Sequence, residues 1–102
     1  MANARSGTTY YVDTAYTATV ATLPELAIPN LRVYYIVVTS TAGAGTCTIT
    51  DSGVSKFDMR VDTSNRTSII DLEQYPAIFN TSIRVTSLSN CVVTFVFEEV
   101  RR

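Results

Sequence analysis

The sequence predicts an all-β fold, a seven- to eight-stranded antiparallel sandwich of jelly-roll or Greek-key type. Three observations predict it. Threonine, valine, isoleucine and tyrosine recur in short alternating runs, the pattern of a half-buried pleated surface. No stretch sustains the 3.6-residue apolar period of a helix. Glycine, asparagine, aspartate and serine interrupt the runs at short intervals, as turns between strands require. The 102 residues suffice for one domain with a core of its own. We expect a flexible N-terminal tail over residues 1–7 and a single sandwich domain over residues 8–102.

The first run, "TTYYVDTAYTATVATL", is longer than an ordinary strand and carries Asp13 as its sole charge. Read as a strand over residues 8–22, it either bends across two sheets or extends onto another subunit, making residues 8–23 an inter-subunit arm. "LPELAIPN" follows, and Pro24 and Pro29 each remove an amide donor, so this segment crosses over rather than pairs. Such a crossover between long β segments is what favours a Greek key or jelly roll over a meander.

Next comes "LRVYYIVVT", a strand over residues 31–39 that breaks the alternation rule. Leu31, Val33, Tyr35 and Val37 fall on one side, Tyr34, Ile36 and Val38 on the other. Both faces therefore call for a cover. The second cover is either the crossover folded back or a neighbouring chain. "TSTAGAGT" then reads as a small-residue loop.

Strands over residues 46–50 and 54–61 flank "DSG", where Gly53 supplies the positive φ of a tight hairpin. In the second of these, Phe57, Met59 and Val61 point inward against Lys56, Asp58, Arg60 and Asp62. A strand over residues 67–72 adds Ile69 or Ile70 to the core. One turn of 3₁₀ helix is expected around residues 73–75, ahead of Pro76. Strands over residues 82–88 and 91–100 close the chain as a final hairpin, with Ser89-Asn90 as a compact turn. Ile83 and Val85 form its inner stripe on one side, and Cys91, Val93, Phe95 and Phe97 on the other.

Composition excludes several function classes. Hydrophobic residues make up 46% of the chain and charged residues 17%, which rules out a disordered chain and suggests that part of the surface does not face water. A net charge of −1, with one lysine and scattered arginines, lacks the basic footprint of a nucleic-acid binder. The N-terminus has no apolar signal core and no run approaches the length of a membrane span, so a chain made in the cytoplasm, with no membrane partner, is expected. Cys47 and Cys91 lie in alternating apolar stripes and read as small core residues. A reducing compartment argues against their pairing, but the sequence leaves the pairing open.

No enzyme is legible. The chain has no histidine, which removes the commonest general base and metal ligand. Two cysteines alone do not make a zinc site, and "AGAG" lacks the lysine and helix of a phosphate loop. Asp58 and Asp62 flank Arg60 on an outward face, a solvated arrangement rather than a paired acid and base, and with Asn65 they match no calcium loop. No catalytic residue, cofactor or metal ligand is therefore assigned. The tyrosines remain, as residues that serve both protein interfaces and sugar platforms.

The segments "GTCTITDSG" and "IIDLEQYPAIFNTSIRVTSLSNCVVTFVFEE" resemble small β-rich virion proteins of tailed bacteriophages. The likeness covers about residues 45–99, and its motifs are structural. It implies a non-enzymatic virion component, a capsid decoration (cement) protein that oligomerises as a homotrimer and braces the head by binding major capsid protein on the outer shell. On that reading the subunit and capsid contacts are Tyr10, Tyr11, Val12 and Tyr16 with Tyr34, Ile36 and Val38. The alternative is a tail or head-fibre module that holds host glycans with its tyrosines and the "TSTAGAG" loop.

Overall fold

The computed structural model describes residues 3–16, 25–52 and 54–99. Among these residues the protein is all-β, with nine strands: β1 (Ala4–Ser6), β2 (Thr9–Val12), β3 (Leu31–Ser40), β4 (Gly45–Asp51), β5 (Val54–Val61), β6 (Thr67–Asp71), β7 (Ala77–Phe79), β8 (Arg84–Ser89) and β9 (Cys91–Glu99). They form two antiparallel sheets packed as a sandwich. The larger runs β1-β2-β9-β3-β6, with β7 pairing β3 beyond the end of β6; the smaller runs β5-β4-β8. β9 therefore lies between β2 and β3, which the chain makes long before it, a Greek-key-like insertion.

The core is one cluster between the sheets. Val93, Phe95 and Phe97 from β9 meet Ile49 from β4 and Val85 from β8, all essentially inaccessible to solvent. The stripes expected on β5, β8 and β9 point inward as read: Met59, Val61, Ile83, Val85, Cys91, Val93, Phe95 and Phe97 are buried, and Phe57 is half-buried.

The two-faced strand is resolved by a bulge. Along β3 the register against β9 runs Val33↔Phe97 and then Tyr35↔Val96, which leaves Tyr34 as an extra residue. One inserted residue reverses the side on which every later side chain falls. Leu31 and Val33 before the bulge thus share the core face with Ile36 and Val38 after it, all four at 0% exposure. Neither the crossover nor a second chain is needed to cover Ile36 and Val38.

The long first run divides its residues between the sheets. β2 pairs β9 in the large sheet, and the backbone then leaves it, so that the Tyr16 N–H donates to the Val85 carbonyl of β8 at 2.7 Å. Of the two readings of this run, bending across both sheets is the one observed for residues 8–16; residues 17–24 lie outside the described residues. The segment expected to cross over without pairing does pair at Leu26, which exchanges two backbone hydrogen bonds with Ile83.

Four other expectations are corrected. Residues 3–7 do not form a loose tail. β1 folds back on β2 through Gly7, at φ 58°, and the buried Asn3 side chain accepts the Asp13 and Thr14 amides and donates to the Thr14 carbonyl. Residues 73–75 do not form a 3₁₀ turn. The Glu73 N–H is taken by the Asp71 carboxylate at 3.0 Å, a local side-chain bond that competes with the helical one. The pair β8 and β9 is not a hairpin. Asn90 does adopt the left-handed conformation, φ 55°, but the turn carries the chain from the small sheet to the large one. Residues 77–79, for which no strand is expected, form β7 against β3. In the β4–β5 hairpin Ser52 takes a positive φ of 49°, and Gly53 lies outside the described residues.

Candidate functional site

Side chains opposite one another in an antiparallel ladder share a face, so the registers define both surfaces of the large sheet. The inner rows are Tyr10–Phe95–Ile36–Ile70 and Val12–Val93–Val38–Ser68. The outer rows alternate with them: Ala4–Tyr11–Thr94–Val37–Ile69, Ser6–Thr9–Val96–Tyr35–Asp71 and Val92–Thr39–Thr67.

This outer face is nearly free of charge. Asp71 is the sole aspartate, glutamate, lysine or arginine in those three rows, and the rest are threonines, valines, tyrosines and other small or apolar residues. Depletion of charge with retention of aromatic and β-branched groups is the composition of an interface centre rather than of a wet surface. At one end the face becomes polar. Arg32 and Glu98 lie opposite one another with their charged groups 3.8 Å apart, and the Tyr34 hydroxyl donates to Glu98 Oε1 at 2.8 Å. That hydrogen bond raises the Tyr34 pKa above its ordinary value. The Tyr35 hydroxyl donates to Glu73 Oε2 at 2.6 Å, and chiefly through that bond its pKa is pushed up to about 12. Both tyrosines keep their protons at neutral pH and anchor the acids at the face's margin.

Exposed apolar side chains gather on the same border. Ile69 in β6 is 62% exposed, Tyr75 81% and Ile78 in β7 43%. Ile78 sits across from Arg32, and Ile69 across from Val37. β6 and β7 succeed one another along a single flank of β3, so the three residues line one edge of the large sheet. A fourth, Val54 at 66%, belongs to the β4–β5 hairpin of the other sheet.

The residues expected to make contacts divide into two groups. Tyr10, Val12, Ile36 and Val38 are core residues, at 0–1% exposure, and are corrected as such. Tyr10 stacks on Phe95 with ring centroids 6.0 Å apart, and burial is the main reason its hydroxyl pKa rises to about 12. Tyr11, Tyr16 and Tyr34 are half-buried. Of these, Tyr11 alone sits within the uncharged rows. Tyr34 is the bulge residue at the polar end, and Tyr16 lies on the other sheet beneath the Arg84 guanidinium, 4.2 Å from its ring centroid. Arg84 is held there by Glu25 at 2.8 Å.

The alternation groups Val37 with Leu31 and Val33 and offers Ile69 or Ile70 to the core, whereas the structure places Val37 and Ile69 together on the outer face. Thr94 and Val96 were in the outward stripe of β9 all along, but without the Tyr34 bulge nothing in the alternation aligns them with Val37.

The carboxylates serve local structure. Asp58 accepts the Thr48 hydroxyl at 2.9 Å, and Asp62 caps the Ser64 and Asn65 amides at 2.8 and 2.7 Å. Among the described residues no group of three acidic or cysteine side chains is placed to hold a metal ion. An open depression of about 640 Å³ lies at the sandwich end, where Tyr11 and Asp13 face Thr41 and Asn90.

Comparison of the chain with known protein families, with characterised proteins and with solved structures finds no match. The resemblance to tailed-phage virion proteins therefore rests on the quoted residues alone.

Proposed function

We propose that this protein is a non-enzymatic structural component whose copies associate over the outer face of the large sheet, in the manner of a capsid decoration protein. The observation that carries the reading is the row Tyr11–Thr94–Val37–Ile69 with its exposed border at Ile69, Tyr75 and Ile78. Copies with a net charge of −1 that meet over these three rows, which carry one carboxylate per chain, repel each other little. The phage resemblance supplies the rest: a homotrimer on the virion surface that binds major capsid protein, where several modest contacts act together because each later one is effectively intramolecular.

Purified protein studied by sedimentation velocity at micromolar concentration tests the first step, and addition to phage shells lacking it tests the second. Oligomers that bind the shell in many copies support the proposal. A chain that stays monomeric and leaves the shells bare refutes it.

A second reading has an observation of its own. The depression beside Tyr11 joins an aromatic ring to the polar groups of Asp13, Thr41 and Asn90, the combination with which proteins hold sugars. Perturbation of backbone resonances around Asn90 by host surface glycans, with none along β6, would favour a receptor-binding module at the tail or head fibre.

A further inference from the structure

Cys47 and Cys91 belong to opposite sheets, yet the chain brings them together. Cys47 points inward from β4 and Cys91 is the first residue of β9; their exposures are 2% and 4%. Two sheets packed face to face stand about 10 Å apart. A disulfide needs Cβ atoms about 3.5–4.5 Å apart, which opposed sheets offer only near a corner where one strand crosses between them. Ser89-Asn90 is such a corner. Ser89 still pairs with Thr46 in the small sheet, and two residues later Cys91 pairs with Ser40 in the large one.

The corner is clamped on several sides. The Thr41 N–H donates to the Asn90 carbonyl at 2.9 Å, and Asn90 Nδ2 donates to the Ala44 carbonyl at 3.2 Å. Gly45 packs so tightly that a Cβ there would stand 2.7 Å from the Ser89 carbonyl oxygen. Cys91 Sγ is consequently 3.4 Å from the Thr46 carbonyl oxygen, on the peptide group that leads into Cys47, which makes the two buried thiols neighbours.

We propose that Cys47 and Cys91 form a modification site, closing to an intrachain disulfide that ties the two sheets together at the Asn90 corner when the chain meets a low-molecular-weight disulfide oxidant. The Cys91 thiolate attacks one sulfur of the oxidant RSSR and expels RS⁻, leaving a mixed disulfide on Cys91. The Cys47 thiolate then attacks the Cys91 sulfur, forms the Cys47–Cys91 bond and expels the second RS⁻. Two protons leave the protein thiols, and two electrons reduce RSSR to two RSH.

Burial, followed by the neighbouring Cys91, pushes the Cys47 thiol up to about 12, and burial also raises Cys91. Both thiols therefore resist oxidation in the closed fold, and the reaction proceeds through opening of this end of the sandwich. A chain that folds under reducing conditions keeps its thiols and acquires the bond on transfer to oxidising surroundings. This goes beyond the proposed function and does not depend on it.

The test uses the full chain incubated with oxidised glutathione at pH 8, once as the native protein and once refolded from urea in the same oxidant. The expected product is a monomeric species lighter by about 2 Da, for the two hydrogens lost, with no thiol titratable after denaturation. A non-reduced digest joins the Cys47 and Cys91 peptides, and Tm rises by about 10 °C, reverting on reduction. Cys91→Ser loses both the mass change and the Tm rise. A stable glutathione adduct, a disulfide-linked dimer, two thiols still free after refolding in oxidant, or a Tm lowered by closure would each overturn the proposal. None of these readouts involves assembly, so they leave the proposed function untouched either way.

Discussion

The Asp51 carboxylate accepts the backbone N–H of Ser82 across the sandwich, Oδ1 to N at 3.1 Å, and it also takes the amides of Thr81 at 3.0 Å and Asn80 at 2.8 Å. One side chain at the end of β4 thus satisfies three consecutive donors in the segment joining β7 to β8. That segment carries the chain from the large sheet to the small one, where backbone groups leave their ladders and need other partners.

Asp51 gives the fold an acid-sensitive fastening. Desolvation pushes its carboxyl pKa up, but the Ser82, Asn80 and Thr81 amides, with Lys56 nearby, outweigh it and hold the group below its ordinary value. The folded pKa lies below the unfolded one, so the contribution is complete above an unfolded value of about 4 and is lost as pH falls through the folded pKa. Asp51→Asn replaces one acceptor oxygen with a donor facing an N–H. It should destabilise the protein by about 1.5–3 kcal/mol at pH 7. Urea unfolding at pH 7 and again near the folded pKa should show the difference between wild type and variant shrinking as the wild-type carboxylate is protonated.

The bulge at Tyr34 yields a contrast between deletion and substitution. Removing Tyr34 restores unbroken pairing but turns either Leu31 and Val33 or Ile36 and Val38 out of the core. Each such side chain is worth roughly 1.5–3 kcal/mol when buried, so the deletion should leave the chain unfolded by circular dichroism. Tyr34→Phe keeps the extra residue and loses only an exposed hydrogen bond to Glu98. Its stability should stay within about 1 kcal/mol of wild type.

Gly45 is required by close approach rather than by its backbone angles. A Cβ at this position would stand 2.7 Å from the Ser89 carbonyl oxygen and 2.8 Å from that of Asn90, both rigid backbone atoms. Gly45→Ala should therefore destabilise by about 1–3 kcal/mol, as overpacking does, with amide exchange accelerated first at the Thr41–Asn90 hydrogen bond.

Legibility in the sequence followed the two-residue period. Cys91, Val93, Phe95 and Phe97 were readable as a core stripe because nothing interrupts their alternation. Where one residue is inserted the same reasoning inverts: Tyr34 made Ile36 and Val38 look like a second face and moved Val37 to the wrong side. The Ser89-Asn90 turn carried the correct backbone chemistry, but a left-handed asparagine serves equally when a chain stays in a sheet and when it crosses to another. Tyr11 and Thr94 were recoverable one strand at a time, whereas aligning them with Val37 and Ile69 needed the cross-strand register, which depends on strands distant in sequence.

The outer face makes a prediction that separates assembly from folding. Ile69 is 62% exposed in edge strand β6 and lies directly across from Val37, so a lysine there reaches water freely in the single chain but places a charge within the uncharged row when copies meet. Ile69→Lys should shift monomer stability by no more than about 0.5 kcal/mol. Burying the unpaired ammonium should weaken association at least about tenfold, a loss of about 1.4 kcal/mol or more. Val54→Lys is the matched control, because Val54 is equally exposed, at 66%, but sits on the β4–β5 hairpin of the smaller sheet. Sedimentation velocity of the two variants at equal concentration decides the matter. If Ile69→Lys dissociates while Val54→Lys stays assembled, the contact lies on the large sheet; equal behaviour of the two would place it elsewhere.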